Sequence, residues 1–301
     1  MSYEPRVSAV IPHWNSGELL GRCVEALEAG GGVDEIVVAD EASTDGSVER
    51  VAGRAGVRVI PSERRGYAAA LNAGIEAARG RFLLLMNSDA FIGPGTAERL
   101  RRRLEENPRV ALCGAALVDE HGERTKTHSY RLTLRRALLD AIGVTPPLAQ
   151  QGDGLTRVEA VFPTCTMARR EALEEMGPFD ERFRFSYEDM DMAMRLAAAG
   201  WEQAVDWEAE AVHVGGGSTS RHDPQSYFRT FHESRLTFLR KHYPRGWRLY
   251  AVLWALKASA LMLGWTARVL VRRARGDRAG AGTAREWARA FRRSVVPQAW
   301  A

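Results

Sequence analysis

Three carboxylates lie within four residues of one stretch, residues 185–201, and they belong to Glu188, Asp189 and Asp191. One interpretation of them is structural, because the free N–H groups and the dipole at a helix start favour negative charge. The other is chemical: a carboxylate fixed on the first turn of a helix can act as a general base, and a second carboxylate beside it raises its proton affinity. The rest of the chain decides between the two interpretations.

The same stretch predicts a helix. Met190 and Met194 recur on one face at helical spacing. Ser186, followed three residues later by Asp189, resembles the start of a capping box, and Gly200 is the candidate residue for the helix end. We therefore expect the carboxylates to be held on the first helical turn.

Upstream, short apolar runs alternate with amphipathic segments. The predicted strands are residues 7–11, 35–39, 57–60, 81–86, 158–167 and 210–214, and the predicted helices are 19–27, one from about Val48, 68–78 and 169–176. Residues 119–154 have weak periodicity and are expected to be irregular. This order predicts an α/β fold: a doubly wound, mostly parallel sheet flanked by helices.

Ligands of such sheets bind beyond the carboxyl ends of the strands, which is where His13, Asn15, Asp40 and Asp89 fall. Asp40 could accept a hydrogen bond from a nucleobase N–H, or it could form an ordinary Asx turn. Both interpretations stay open on the sequence alone.

Asn87, Ser88 and Asp89 directly follow a buried strand. A carboxylate in that place can hold Mg²⁺ beside a diphosphate, because Mg²⁺ takes one or two protein carboxylates together with phosphate oxygens. A simple turn is the alternative. His213 precedes a glycine run, and beside Asp89 it suggests a metal or phosphate role, although a lone histidine is more often packed or on the surface.

Several site types are excluded by missing motifs. The chain contains no GxxxxGK[ST] phosphate loop and no GxSxG nucleophile elbow, and no GxGxxG follows the first strand. The three cysteines, Cys23, Cys113 and Cys165, are far apart and form no CxxC pair. They fit a reducing compartment, and with no signal-peptide layout near Met1 we expect a cytoplasmic location.

Charge is distributed unevenly. From Arg221 onward the chain has 17 Lys and Arg against 4 Asp and Glu, so this part carries +13 and the preceding 220 residues carry −9. A basic tail on a mildly acidic body favours an anionic partner, either a membrane surface or a nucleic acid.

Residues 249–267 are almost wholly apolar except for Lys257, and arginines follow at once. The stretch could just span a bilayer, but Lys257 near its centre opposes insertion. It could also pack on the catalytic body or in a homodimer interface. Tryptophan and arginine together favour a helix in the headgroup region of an anionic membrane, aided by a second basic amphipathic piece at 287–296. We expect peripheral attachment to the inner face of the plasma membrane.

The order of motifs along the chain is specific. The motifs are residues 7–15, DEASTDGS at 40–47, RGY at 65–67 with NAG at 72–74, NSD at 87–89, GPFDERF at 177–183, YEDMD at 187–191, and His213. This layout resembles the family 2 glycosyltransferases of GT-A fold, and among them the bacterial rhamnosyltransferase-like members. It covers roughly residues 7–220.

The resemblance implies an enzyme, an inverting hexosyltransferase that moves a sugar such as rhamnose from a dTDP- or UDP-sugar. The acceptor is a hydroxyl of a glycan or of a polyprenyl-diphosphate-linked acceptor in cell-envelope polysaccharide synthesis. Asp189, with Glu188, is implied as the catalytic pair, with Asp189 as the base. Asp89, the surviving acid of the metal-binding DxD, and His213 are implied to hold Mg²⁺ or Mn²⁺.

Nine further residues are implied to bind the nucleotide sugar: Pro12, His13, Asn15, Asp40, Ala42, Gly66, Asn72, Asn87 and Ser88. Two departures from the family pattern stand out. Asn87 replaces the first acid of DxD, which weakens the expected hold on the metal, and Pro178 replaces a second glycine. The expected domains are a catalytic domain at 1–220 and a helical C-terminal region at 221–301. The first divides into a nucleotide-sugar half (1–118) and an acceptor half (119–220).

Three alternatives remain. The first is a nucleotide-sugar-binding protein without turnover, although such a protein has no use for a base. The second is a transferase that acts on a soluble acceptor. The third is a nucleic-acid-binding protein, which we do not expect because the basic tail carries no recognition motif and adjoins a long apolar run.

Overall fold

The computed structural model describes residues 6–144, 148, 150–184, 186–215 and 224–275, without the side chains of 224–229, 272 and 273. The strands of this part are β1 (Val7–His13), β2 (Glu35–Asp40), β3 (Val57–Pro61), β4 (Phe82–Met86), β5 (Ala90–Ile92), β6 (Val110–Val118), β7 (His128–Ser129), β8 (Leu155–Val158), β9 (Ala160–Val161), β10 (Cys165–Arg169) and β11 (Glu202–His213). The helices are α1 (Leu19–Gly30), α2 (Tyr67–Ala77), α3 (Thr96–Glu106), α4 (Leu134–Ala141), α5 (Arg170–Met176), α6 (Glu188–Ala198), α7 (Pro224–His242) and α8 (Trp247–Ala274).

One central sheet organises the larger of two compact units. Its strand order is β3-β2-β1-β4-β10-β6-β11-β5, with β8 paired to β11. The first four strands are mutually parallel, and β10 then runs antiparallel to both β4 and β6. The expected α/β class, a sheet flanked by helices, is confirmed, and antiparallel pairs enter it beyond β4.

Burial explains why the sheet forms. Every residue of β1, β4 and β6 is buried, as expected for strands that are covered on both faces. Alternate residues feed two separate cores, so that Leu84 contributes to one and Leu83 and Leu85 to the other. The ends of β1, β2 and β4 are thereby fixed, and the predicted site residues follow these ends.

A buried ion cluster ties α3 to β11. Asp206, which is fully buried, accepts hydrogen bonds from Arg99 Nε and Arg103 Nε, both at 2.8 Å. Neither α3 nor β6 was predicted from the sequence, and the last strand was predicted to begin at residue 210, whereas β11 begins at Glu202. The longer strand matters because His213 lies at its end.

Three further predictions were wrong. Residues 48–53 form turns rather than a helix, because Gly46 and Gly53, both at positive φ, leave only a short run between them. The strand predicted at 158–167 is three strands, since Pro163 has no N–H to continue the ladder. The region 119–154, expected to be irregular, contains β7 and α4.

The second unit consists of residues 132–147, 185–187 and 222 onward. Within it, Asp140 of α4 binds Arg235 of α7 at 2.5 Å, and its backbone oxygen accepts a hydrogen bond of 2.7 Å from Lys257 Nζ of α8. His232 stacks on Trp254 with ring centroids 4.0 Å apart. Burial, with Arg235 and Lys257 nearby, lowers the pKa of His232 to about 3, so its ring is neutral at physiological pH.

Candidate active site

The loops after β1 and β2 are joined by a polar network. Buried His13, at the end of β1, is 2.8 Å from Ser47 Oγ through Nε2 and 3.2 Å from Ser16 Oγ through Nδ1. Both ring nitrogens are therefore engaged within the protein. His13 was predicted to bind nucleotide sugar, and the network gives it a role in holding the loop as well.

Asp40 forms the Asx-type turn that was one of its two interpretations. Its carboxylate accepts hydrogen bonds from Ser43 N at 3.1 Å and Ser43 Oγ at 2.5 Å. Asn15 lies opposite, where its Oδ1 accepts from Thr44 N at 2.8 Å. Asn15 (φ 45°) and Ala42 (φ 56°) both adopt the left-handed region, a strain of about 1–3 kcal/mol each that is typical of functional loops.

Asp45 is a member of this network that sequence reasoning missed. It accepts a hydrogen bond from Gly17 N at 2.7 Å and also binds the Ser47 hydroxyl. Partial burial acts to raise its pKa, but hydrogen bonds from Ser47 and Gly17 outweigh that and lower it. Asp45 thus stays ionised while it fixes both loops. Its signal was the DGS turn after a strand.

Gly66 begins α2 at a place where no side chain fits. Its φ is 108°, and a Cβ there would stand 2.5 Å from the backbone oxygen of Arg184. Its N–H donates to Glu41 Oε1 at 2.8 Å. Burial raises the pKa of Glu41, although backbone hydrogen bonds from Gly66 and Arg65 act to lower it. The close approach brings the 177–184 segment against the start of α2.

Asn72 of α2 binds the 177–184 segment through hydrogen bonds. Its Nδ2 donates to the Phe179 backbone oxygen at 2.9 Å, and its Oδ1 accepts from Phe179 N at 2.8 Å. Nδ2 also lies 3.2 Å from Glu181 Oε1. Asn72 was predicted to bind the nucleotide sugar, and the structure gives its amide a positioning role in the GPFDE turn.

Asp89 and His213, predicted as metal ligands from opposite parts of the sequence, are brought together. His213 Nε2 lies 3.3 Å from Asp89 Oδ1. The cause is the β5–β11 ladder, in which His213 pairs with Ala90, and the Asp89 backbone oxygen accepts from Val214 N at 3.1 Å. Within the described residues no cluster of three or more His, Cys, Asp or Glu side chains could hold an ion.

The pair fits a divalent cation that is also bound by a substrate. A carboxylate and an imidazole supply two donors, and phosphate oxygens can complete the coordination shell. Asn87 Oδ1, at the place of the missing DxD acid, accepts a hydrogen bond of 3.0 Å from the Tyr67 hydroxyl. Asn87 and Ser88 lie between β4 and β5 as expected, Ser88 is buried, and Pro12 is buried in β1 beside Ala39.

Tyr67 lies near both the predicted metal ligand and the predicted base, and sequence reasoning gave it no role. Its hydroxyl donates to Asn87 Oδ1 at 3.0 Å and lies 3.4 Å from the Pro163 backbone oxygen. Burial first, then the carboxylates of Glu188, Asp189 and Asp89, raise its pKa well above the usual value. The predicted base and the predicted metal ligand therefore both lie within electrostatic range of one phenol.

The two carboxylates that were predicted to be the catalytic pair, Glu188 and Asp189, lie on the first turn of α6. Glu188 is buried, and its Oε2 has no hydrogen-bond partner in the described structure. Burial, and then the charge of Asp189, raise the pKa of Glu188 to about 8. Asp189 is only half-buried, and its Oδ1 accepts from Met190 N at 2.7 Å. The buried carboxyl of this turn therefore favours its protonated form, and the half-buried carboxyl of Asp189 lies next to it in the sequence.

The third carboxylate of the stretch is structural. Asp191 is fully buried and accepts a hydrogen bond of 2.9 Å from Arg195 Nε, one helical turn on. The helix begins at Glu188, after Ser186 and Tyr187 at positive φ. It ends as predicted at Gly200 (φ 86°), with Trp201 N bonded to Leu196 O and Gly200 N to Ala197 O, the two bonds of a Schellman motif.

Comparison with known proteins concerns the family and the fold of the chain. The model of glycosyl transferase family 2 matches residues 8–177. An N-acetylglucosaminyl-diphospho-decaprenol L-rhamnosyltransferase of Mycobacterium tuberculosis is 29% identical over 266 residues, 80% of this chain and 85% of that protein. The succinoglycan biosynthesis protein ExoO of Rhizobium meliloti is 32% identical over 226 residues, 72% of this chain and 63% of that protein.

Among solved structures, the mannosyltransferase PcManGT from Pyrobaculum calidifontis, in complex with GDP-Man and Mn²⁺, superposes with a TM-score of 0.58. It is 18% identical, and the match covers 98% of this chain and 88% of that one. At this identity the likeness shows the fold, which is that of GT-A enzymes. The family match spans more than half of the chain, and the protein therefore belongs to glycosyl transferase family 2.

Proposed function

We propose that this enzyme transfers a hexosyl residue, rhamnose being the first candidate, from a dTDP- or UDP-sugar to a hydroxyl of a lipid-linked glycan, with inversion at the anomeric carbon. The observation that carries the proposal is the grouping of Asp89, Glu188 and Asp189 around Tyr67. The proposed cation site and the proposed general base would therefore lie in one compact unit.

The first requirement of the reaction is a stronger nucleophile. A sugar hydroxyl holds its proton tightly at neutral pH, so a positioned carboxylate that removes it accelerates attack by about 10²–10⁴-fold. Asp189 takes this role because it is half-buried and so can be reached by an acceptor, whereas Asp191 is fully buried and bound to Arg195. Glu188, protonated near neutrality, limits the negative charge on the turn.

The second requirement is neutralisation of the leaving group. A divalent cation, Mg²⁺ or Mn²⁺, would supply the positive charge that the departing nucleoside diphosphate needs. Asp89 and His213 would hold it, together with the diphosphate oxygens. Asp40, Asn15 and Ala42 would face the nucleoside from the loops after β1 and β2.

The proposed acceptor class is supported by one relative and by the helical second unit. The Mycobacterium tuberculosis relative is named for a decaprenol-linked acceptor, and the protein described here carries an apolar helix, α8, with basic residues beyond it. We place the reaction at the cytoplasmic face of the plasma membrane, in cell-envelope polysaccharide synthesis. A transferase acting on a soluble acceptor is the second candidate. It is favoured if short water-soluble glycosides are used as well as lipid-linked ones.

A donor and acceptor panel tests the proposal. The full chain is incubated with dTDP-rhamnose, UDP-sugars and GDP-mannose, each with a polyprenyl-diphosphate-linked glycan, with Mn²⁺ or with chelator. We expect one donor to yield a product of inverted anomeric configuration by NMR, and chelator to suppress it. Tight donor binding without transfer to any acceptor would instead support a nucleotide-sugar-binding protein without turnover.

A further inference from the structure

Helix α8 has two apolar faces, of which only one is covered. Its inner face, with Tyr250, Trp254 and Ala258, is buried within the second unit. The opposite face carries leucines that recur every seven residues, at 249, 256, 263 and 270, with 55% to 66% of each side chain exposed. A helix that is apolar all round is normally buried on all sides or in contact with lipid.

The end of α4 extends the same kind of surface. Ile142 and Val144, just after α4, are also exposed by more than half. Between α4 and α8 lies an open apolar groove of about 450 Å³, lined by Leu134, Arg135, Leu138, Leu139, Ile142 and Leu253. We call the exposed leucines of α8, Ile142, Val144 and this groove the outer face. Several large exposed apolar side chains beside an apolar groove are typical of an interaction site.

Charge selects the partner. The chain from Arg221 onward carries 17 Lys and Arg against 4 Asp and Glu, so the apolar outer face belongs to a strongly basic unit. Two copies of such a unit repel each other, which opposes a homodimer through this face. An anionic bilayer offers an apolar environment for the exposed leucines and negatively charged headgroups for the arginines.

The contacts of α8 also favour an orientation in the plane of a membrane over one that crosses it. By length and composition, Trp247–Val271 could cross a membrane. To do so, however, the helix would have to leave α4 and break the 2.7 Å bond between Lys257 Nζ and the Asp140 backbone oxygen. A charged Lys257 would then lie in the hydrocarbon, at a cost of about 2.5–3.5 kcal/mol on insertion scales. An in-plane helix keeps that bond and buries only the outer face.

We propose that the outer face of α4 and α8 is a membrane-docking surface that lies in the plane of an anionic bilayer. This rests on the proposed function for its purpose, since docking would bring the enzyme to a lipid-linked acceptor. The binding itself requires no catalysis, and the two proposals can fail separately.

Flotation of the full chain with vesicles tests the inference. Vesicles of phosphatidylcholine alone are compared with vesicles that also contain phosphatidylglycerol. The variant Leu256→Glu/Leu263→Glu changes two exposed outer-face residues. The matched control Ala52→Glu/Ala55→Glu adds the same charge at exposed positions of the first unit. Binding of the donor nucleotide sugar is measured for every form.

We expect the wild type and the control to float with phosphatidylglycerol vesicles and to bind less as salt is raised. The outer-face variant should bind these vesicles about tenfold less or worse, because two leucines no longer leave water, while its donor binding is unchanged. Equal vesicle binding by the outer-face variant would overturn the inference. So would a wild-type dimer, seen by light scattering, that the variant splits while neither form binds vesicles. Vesicle binding without donor binding would leave the docking surface standing and count against the proposed function.

Discussion

At the scale of single residues, Glu188 is unusual because its buried carboxyl has no hydrogen-bond partner at Oε2 among the residues that the structure describes. Its pKa is raised to about 8, above the ordinary value of 4.5. Between these two values the folded chain holds a proton that the unfolded chain has released, so stability falls as pH rises through this window. The site therefore contains a group that destabilises the fold at alkaline pH.

Replacing Glu188 by Gln should remove this pH dependence. We expect the melting temperature of Glu188→Gln to gain on that of the wild type as pH rises from 5 to 8, and the gain to level off above 8. The slope is at most about 1.4 kcal/mol per pH unit. Thermal melts across this range check it, with Glu202→Gln, an exposed change, as the control. Parallel curves for wild type and variant would show that Glu188 titrates normally.

The proximity of Asp89 and His213 supports a second prediction about single residues, which concerns donor binding. Asp89→Ala, and to a smaller extent His213→Ala, should weaken donor binding in Mn²⁺ by about tenfold or more and leave little further effect of chelator. Calorimetric titration with the nucleotide sugar measures it.

Asp40→Ala is the matched comparison for these variants. It should weaken binding of the free nucleoside diphosphate with and without the metal, because we propose that Asp40 contacts the nucleobase. Unchanged donor affinity in the Asp89 and His213 variants, with and without chelator, would remove the metal role of this pair.

At the scale of elements, the position of His213 depends on how firmly β11 is held. Fully buried Asp206 accepts hydrogen bonds from two arginines of α3. Asp206→Asn should destabilise the fold by roughly 2–3 kcal/mol, because it removes a buried charge from between two cations. Denaturant unfolding measures it against Glu202→Gln, a change on β11 like Asp206→Asn. Glu202→Gln breaks an exposed ion pair with Arg157 of β8 and should cost less than about 1 kcal/mol. Equal costs would mean that Asp206 does not anchor the strand.

The elements also show what sequence alone could predict. Strands β1, β2 and β4 were predicted to within two residues, because both of their faces are buried and each reads as an unbroken apolar run. Asp89 and His213 were predicted to be ligands of one metal ion because of the order of motifs along the chain. The ladder that joins them, β5 with β11, was not predicted, because pairing between distant short strands leaves no local pattern.

Tyr67 was missed for a different reason. A lone tyrosine at a helix start looks like many core residues, and its importance comes only from what the fold gathers around its hydroxyl. The roles of Asn72 and His13 as anchors were likewise invisible, since their partners lie 107 and 34 residues away.

At the scale of the whole molecule, the chain combines a GT-A unit that holds the predicted site with a basic helical unit that exposes apolar surface. The first unit explains how a sugar could be activated and a hydroxyl deprotonated. The second would bring the enzyme to the membrane-bound acceptor that we propose. We propose that the protein is an inverting transferase whose base is Asp189.

The most direct measurement is the turnover of Asp189→Asn at saturating donor. We expect a loss of about 10²–10⁴-fold with donor affinity nearly intact, because the carboxylate would act on the acceptor and not on the nucleotide sugar. Glu188→Gln should lose less. Near wild-type turnover by Asp189→Asn at saturating donor would contradict the assignment of Asp189 as the base.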